Sequence, residues 1–475
     1  MNNQTDIPKS KYNVVIIGSG FSGIVAADIL AEYGLSVLLT DENLHIGGQL
    51  LRKIPENLGE YDSYHPDYVK KIGFRFIKSV KEKKITIMNR TCLMAVYPDN
   101  RIMLETERKT ILDVSYETLL FSTGARERYL PFKGWTLPGV YSTGMMQVLM
   151  KSSGVLPARN IVIGGSGLFL FSAAYEFLKN KGKVHAVLEL SGMMDKVQMI
   201  PALVHQPSKA VEGARYLSKI YLSGVPVKYR HKIIEARGNR SVEEIVTAKV
   251  DANGKAIAGT EKIYKTDAAA IGCGFIPNIE APQLAGCDLE FADAKGGWIV
   301  KTNDKLETSV PNVLAAGEIT GVGGALKSIN EGRLAANTIL EKFEKISPAD
   351  AQRQQKHLTT ERKHHMQFVH YFNSLYAIPQ EAVMDIPDDT IICRCEDITI
   401  GDMKKYIAAG YRTPKALKTA TRVTMGNCQG RTCGPLVYDL LRFMTHQSPE
   451  QTGLFASRPP LKPLSIHALA DCLKN

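Results

Sequence analysis

The polar start of the chain gives way after Tyr12 to an apolar run, Val14–Ile17, with the uniformity of a strand buried on both faces of a parallel sheet. Ala26, Ala27, Leu30 and Ala31 then recur at helical spacing and predict a small, sheet-facing stripe. A second apolar run, Ser36–Thr40, completes a strand–helix–strand unit. Beyond it the pattern predicts a helix over Asp67–Val80, strands of alternating character over Ile85–Tyr97 and Arg101–Glu107, and a strand inside Ser115–Ala125. The opening pattern returns after Arg159: a strand at Ile161–Ile163, a helix to about Asn180 and a strand at Val184–Leu188. Residues 191–270 read as a helix-rich insert, Met193–Leu222, then strands and a turn at Asn253-Gly254. Residues 341–385 are polar and rich in Gln, Lys and His, as in an exposed helix and linker. Short helices are predicted near Ile400–Ala409 and Pro414–Ala420. The fold class is α/β, with two dinucleotide-type units and a small helical C-terminal module.

The turns of those units carry the first chemistry. Gly18, Gly20 and Gly23 follow the first strand in G-x-G-x-x-G spacing. The first glycine allows a tight turn, the second a close backbone approach to a pyrophosphate, and the third close helix–strand packing. The helix start presents free N–H groups to phosphate. Asp41, with Glu42 beside it, ends the second strand where a carboxylate accepts hydrogen bonds from a ribose. The motif itself does not separate FAD from NAD. Gly47-Gly48-Gln49 is a backbone-exposing turn that could reach toward an isoalloxazine. Thr123-Gly124 lies where two-dinucleotide flavoproteins carry Ala-Thr-Gly, with Ser122 replacing their Ala, and Arg126–Gly139 follows as a Pro/Gly-rich crossover. Near residue 317 a strand delivers Gly317-Glu318 ahead of a helix, an arrangement for binding ribityl hydroxyls while N–H groups face phosphate. Flavoproteins have Asp there, and Glu318 is one methylene longer.

The second unit repeats the first with a change. Gly165 and Gly167 match the first two glycines, Glu189 takes the place of the acid, and Leu170 stands at the third glycine position. Leucine there must lift or tilt the helix away from the strand. Two readings stay open: a second nucleotide, NAD or an adenine nucleotide, on this turn, or a domain kept for packing.

Composition alters little. The chain has 475 residues, enough for roughly three domains. No apolar run approaches the roughly 20 residues of a membrane span, and the polar start argues against a signal peptide, so a cytoplasmic location is expected, with no membrane association beyond a peripheral one. The net charge of +11 has no Lys/Arg block interleaved with aromatics, which argues against nucleic acid. No Ser/His/Asp arrangement stands out, and no catalytic residue is assigned. His364, His365 and His370 lack ligand-spaced partners and read as a solvated helix face.

Eight cysteines without a secretory signal do not suggest a disulfide framework. Cys92, Cys273 and Cys287 read as structural thiols. Cys393-Arg-Cys395 and Cys428-Gln-Gly-Arg-Thr-Cys433, joined by two helices, read as a four-thiolate site for an iron–sulfur cluster, with zinc and free thiols as alternatives. Met425-Gly426 and Gln429-Gly430 let backbone amides approach sulfur. No Cys pair lies near either glycine fingerprint, which argues against a disulfide reductase.

The C-terminal module resembles bacterioferritin-associated-ferredoxin-type [2Fe–2S] domains, with Cys393, Cys395, Cys428 and Cys433 on their four ligands. The wider C-x₄-C in Cys-Gln-Gly-Arg-Thr-Cys-Gly-Pro resembles the α subunits of opine oxidases, D-hydroxyproline and dye-linked proline dehydrogenases, and the middle subunit of hydrogen cyanide synthase. Gly47–Gln49, Ser122–Arg128, Gly134–Val140, Gly317-Glu318, Leu170 and the tail from Arg458 to Leu464 fit the same group. The resemblance implies a discontinuous FAD domain (1–130 and 271–345), a second nucleotide-binding domain (131–270), a helical linker (346–385), a [2Fe–2S] domain (386–445) and a Pro-rich tail (446–475). It implies an electron-transfer α subunit that works with a glycine-oxidase-like FAD β subunit, with room for a small third subunit. Together they would oxidise a secondary amine or imino acid and pass electrons to a quinone or dye. The alternatives are a self-contained NAD(P)H:acceptor reductase and a non-catalytic assembly subunit.

Overall fold

Lys11–Ile17 is an inner strand of a seven-stranded mixed sheet, flanked in parallel by Val37–Thr40 and by Ile111–Phe121. Val14, Val15 and Ile16 are fully buried, as befits a strand covered on both faces. Thr86–Met88 extends the sheet past Val37–Thr40. Ile111–Phe121 serves two partners on its other edge. Its first half pairs antiparallel with Arg101–Glu105, itself paired with Cys92–Tyr97. Its last residues pair in parallel with Val313–Ala315. The run expected as one strand over Ile85–Tyr97 is broken at Arg90, whose φ is +48°. A left-handed residue turns the chain out of the pleat, so two strands form instead of one.

The computed structural model describes residues 10–52, 68–193 and 207–472. The chain divides into two units, residues 1–126, 276–369 and 457–475 forming one and 127–275 and 370–456 the other. In the first unit the helix Phe21–Glu32 buries Ala26, Ala27 and Leu30 completely, while Ala31 in its last turn is half-buried. It is covered again by the helix Gly324–Lys342, which comes so close at Gly332 that a Cβ there would lie 2.6 Å from the Ser22 carbonyl oxygen. Val14, Ile16, Val25, Leu30, Leu39, Leu334, Ile339 and Leu358 share one core. Leu358 comes from the helix Pro348–Leu375, so the predicted exposed helix also packs one side inward.

The second unit is built on a five-stranded parallel sheet in the order Val227–Tyr229, Lys183–Glu189, Asn160–Gly165, Ala268–Gly272, Val140–Ser142. A three-stranded antiparallel sheet, residues 231–265, lies within the same unit. The predicted insert helix is Pro207–Leu222; residues 194–206 lie outside the described residues. The thiol-bearing segment belongs to this unit. Ile400–Ala408 begins with a capping box on Thr399 and Asp402, and Pro414–Thr421 with Thr413 as N-cap and Pro414 in the first turn. A further helix, Gly434–Thr445, starts directly after Cys433, and its Val437, Leu440 and Leu441 pack with Met403, Ile407 and Leu417. Among the described residues no helix is long and apolar enough to cross a membrane.

Candidate functional site

In the first unit, Gly18 and Gly23 sit in the close-packed turn that their spacing predicts. Gly18 has φ +103°, and a Cβ there would collide with the Ser122 carbonyl; a Cβ on Gly23 would collide with the Gly18 carbonyl. Gly20 is half-exposed with open space on its Cβ side, and the helix it caps has no side-chain cap and no acid in its first turn. The helix end is therefore open to an anion. Asp41 is buried behind it. Its Oδ2 accepts from the Ser19 amide at 2.8 Å and the Ser19 hydroxyl at 2.5 Å, and its Oδ1 from the Asn43 amide and side chain, both at 2.8 Å. Four donors fill the carboxylate, so a ribose diol must displace the Ser19 hydroxyl or the Asn43 amide group. Ser19 and Asn43 were not legible as site residues; an Asx-type acid two residues before Asn was the available signal.

Gly47-Gly48 folds against this turn. The Gly47 amide donates to the Ser19 carbonyl at 2.9 Å, and a Cβ on Gly48 would lie 2.9 Å from the Gly20 Cα. Gln49 is exposed and holds Arg52 through its side-chain oxygen at 2.7 Å from Nε, while exposed Glu42 pairs with Lys462. Thr123-Gly124 forms a turn locked to Asn278: the Thr123 hydroxyl donates to the Asn278 carbonyl at 2.7 Å and the Asn278 amide to the Gly124 carbonyl at 3.0 Å. These residues lie in one unit, and the donor set fits a nucleotide with phosphate on an open helix end and ribose on an acid.

Glu318 is placed differently from expectation. Its carboxylate accepts from the Gly323 and Gly324 amides at 3.1 and 2.7 Å, so it caps the helix Gly324–Lys342 itself. The amides expected to face phosphate are given to the protein's own acid. Burial raises its pKa, partly offset by Lys327. Beneath it lies a charge cluster that went unnoticed in the sequence. Lys327 is fully buried and donates to the Gly317 carbonyl and the Thr320 hydroxyl, both at 2.5 Å, and to the Gly321 carbonyl at 3.0 Å. Glu331, also fully buried, pairs with Lys327 at 2.9 Å and with Arg362 at 2.7 Å, and accepts the Gly317 amide at 2.7 Å. The signal available was a Lys and a Glu one helical turn apart, which ordinarily marks a solvated face.

The second glycine turn departs from the first at each point that matters for phosphate. Gly165 still presses on the neighbouring strand, at Gly272. The helix, however, begins at Phe169, two residues after Gly167, whereas the first begins one residue after Gly20. The Leu170 side chain is buried in the core, and the Leu170 and Phe171 amides close tight turns onto Gly167 and Leu168. Glu189 is fully buried; its Oε2 accepts the Gly167 amide at 3.1 Å and its Oε1 the Ser191 amide at 3.1 Å. Gly167 is buried, and the hydroxyl of buried Ser166 donates to the Tyr376 carbonyl at 3.1 Å. Burial raises the Tyr376 phenol further than any other effect, and Glu189 adds to it.

The four C-terminal cysteines lie together. Cys393 and Cys433 are 1 % and 2 % exposed, Cys428 is half-buried and Cys395 exposed. Hydrogen bonding to Cys433 pulls the Cys393 thiol down to about 6 and the Cys428 thiol to about 4; Cys433, flanked by both, is raised. Cys395 reaches Cys428 in turn; the Cys428 amide lowers it, but burial and the neighbouring thiols leave it raised. Backbone amides point at these sulfurs: Thr424, Glu396 and Cys395 toward Cys393, and Thr432 and Gly430 toward Cys428. The amide approach therefore comes from Gly430, as expected, and from neighbours of the other named residues. Gly426 serves a separate purpose, since a Cβ there would collide with the Cys395 Cβ and lie 3.1 Å from its Sγ. Asp397, Thr424 and Gln429 carry positive φ around the site. Among the described residues no group of three or more His, Cys, Asp or Glu side chains is placed to hold a metal ion. Cys433 neighbours both Cys393 and Cys428, and Cys428 neighbours Cys395; thiols are soft donors of the kind that zinc and iron–sulfur clusters take.

A family model described as pyridine nucleotide-disulphide oxidoreductase matches residues 12–339, and one described as sarcosine oxidase A3 domain matches residues 388–472. Hydrogen cyanide synthase subunit HcnB of Pseudomonas aeruginosa is 30% identical over 470 residues, covering 96% of this chain and 98% of that one. An opine oxidase subunit of Rhizobium meliloti is 28% identical, covering 98% and 100%. Among solved structures, L-proline dehydrogenase from P. horikoshii superposes with a TM-score of 0.69 at 18% identity, over 97% of this chain and 79% of that one, a likeness of fold. The first family is one of oxidoreductases, and membership implies FAD binding. The described architecture is the expected α/β one: Rossmann-like sheets followed by a helical C-terminal region. The chain belongs to the pyridine nucleotide-disulphide oxidoreductase family, in the group that holds hydrogen cyanide synthase subunit HcnB and this opine oxidase subunit.

Proposed function

We propose that this chain is the electron-transfer subunit of a heteromeric dehydrogenase acting on a secondary amine or imino acid. FAD would lie on the Gly18–Gly23 turn with its ribose at Asp41, and a [2Fe–2S] cluster on Cys393, Cys395, Cys428 and Cys433. Flavin supplies two-electron acceptance and one-electron release, and a cluster carries single electrons. The protein contributes the open helix end, the acid and its exchangeable donors Ser19 and Asn43. It also contributes backbone amides aimed at the Cys393 and Cys428 sulfurs, which favour the thiolate form there and would tune a cluster's potential. A separate glycine-oxidase-like subunit would carry the amine chemistry, and a quinone would take the electrons. Its place would be the cytoplasm.

The observation that supports this most is the four neighbouring thiols, with backbone amides aimed at Cys393 and Cys428, in a chain whose full-length relatives are named as enzyme subunits. The test is anaerobic purification with flavin, iron and sulfide assayed per chain. Cys428→Ser should abolish iron absorbance and slow transfer to a dye while FAD stays bound. Unchanged iron in that variant, or a wild-type chain free of iron and sulfide, refutes the assignment. Rapid flavin bleaching by NADH without a partner would favour the self-contained reductase instead, and flavin inert to reductive titration would favour an assembly role.

A further inference from the structure

The second glycine turn has a strand, a turn, a helix and an acid in the right order, yet the Ser166 and Gly167 amides already have acceptors within the chain. The second glycine of such a motif brings its N–H to a pyrophosphate. Here the Gly167 N–H donates to the buried Glu189 carboxylate at 3.1 Å. At the first turn the equivalent acid, one methylene shorter, stops at the Ser19 amide and leaves Gly20 open. Further along, the Leu170 and Phe171 amides are closed in tight turns onto Gly167 and Leu168.

What occupies the neighbourhood is the chain itself. The Tyr376 carbonyl sits on the Ser166 hydroxyl. Ile378 and Ala382 pack with Leu190 and Val250. Asp385 takes the Lys232 ammonium at 2.8 Å and the Ala256 amide at 2.9 Å. The Trp135 indole donates to the Ile391 carbonyl at 2.7 Å, two residues before the first thiol, and Arg394 stacks over its ring at 5.2 Å. Arg128 pairs with Asp439 on the helix that follows Cys433. Within this unit, the glycine turn, the antiparallel sheet and the stretch Arg128–Trp135 together reach both ends of the thiol module.

We infer that the second nucleotide-type sheet accepts no pyridine nucleotide, and that its glycine turn is instead the docking seat that fixes the thiol module through the segment Tyr376–Asp385. The reading of the thiols as cluster ligands names what is docked; the docking itself does not depend on iron. The sheet keeps the strand–turn–helix form because that form now holds a peptide carbonyl and a buried carboxylate.

Hydrogen exchange on the full-length, FAD-loaded chain tests this, with NAD⁺ and NADH as probes. Neither nucleotide should alter exchange at Gly165–Phe171. Asp385→Asn and Ser166→Ala should each raise exchange by about tenfold at the glycine turn and across Ile391–Cys395 together, leaving flavin content unchanged. Protection of the turn by either nucleotide overturns the inference. So does release of only one of the two segments in both variants. Iron content is read in the same samples: an iron-free chain with these exchange results would sink the cluster assignment and leave the docking intact.

Discussion

Lys327 carries the charge with most at stake in the first unit. Lys327→Met keeps the length of the stem and removes the ammonium. The Gly317 and Gly321 carbonyls then lose a donor, and Glu331 loses one of two cations. Removing one partner of a buried pair costs about 3–5 kcal/mol. Glu331 keeps Arg362 and the Gly317 amide, which places this variant at the low end, about 3 kcal/mol. Glu331→Gln is harsher: Lys327 keeps neutral hydrogen-bond acceptors and only the longer-range Glu318 carboxylate, and Arg362 loses its partner, so about 4–5 kcal/mol is expected. The double variant should cost less than the sum, because the second change removes a charge the first had stranded. The two tryptophans make the assay selective, since Trp298 lies in the first unit and Trp135 in the second. In a Trp135→Phe background, urea unfolding followed by fluorescence reports the first unit alone. Costs below about 1 kcal/mol for both single variants would show that the pair is worth no more than a surface one, and refute the argument.

The same pair sets an acid dependence. Burial alone would raise Glu331, but Lys327 and Arg362 bring it below its ordinary 4.5, so the unfolded chain binds the proton more readily. Stability from Glu331 is thus complete above pH 4.5 and lost as pH falls through the lower folded value; Glu331→Gln should flatten that limb in a pH series of urea midpoints, and an unchanged limb refutes the pairing. Gly426→Ala drives a methyl into Cys395 and should abolish iron loading with flavin retained, assayed by iron content; full iron would show that the loop yields freely. Asp41→Ala should weaken FAD binding at least tenfold, the loss of about one charge-assisted hydrogen bond or more, measured by flavin fluorescence; undiminished affinity would mean that the ribose is held elsewhere.

What the sequence made legible were features enforced over short range. Gly18 and Gly23 are dictated by contacts within one turn of chain or its neighbouring strand, so their spacing alone predicts the geometry. The four cysteines were legible because few physical roles need two close thiol pairs. The helix Gly434–Thr445 was not, since Gly-Pro reads as punctuation, whereas proline in a first helical turn starts a helix as readily as it ends one. Lys327 and Glu331 were opaque for a different reason. Their burial depends on Arg362 and on the helix Pro348–Leu375 closing over them, a long-range fact that no local window contains.

The two glycine turns make the sharpest case. Each has a serine between its first two glycines and an acid at the end of the next strand, and each acid also accepts the amide two residues on, Asn43 in one and Ser191 in the other. One methylene separates Asp41 from Glu189, and it shifts the accepted amide from the residue between the glycines to the second glycine itself. Leucine in place of the third glycine moves the helix start by one residue in the same direction. Only the change of acid is conservative by residue class, yet it takes the second glycine's N–H from a phosphate. A motif match that counts glycines and an acid is blind to that difference, because the match tests which residue types are present while the chemistry turns on which amide is left without an internal partner.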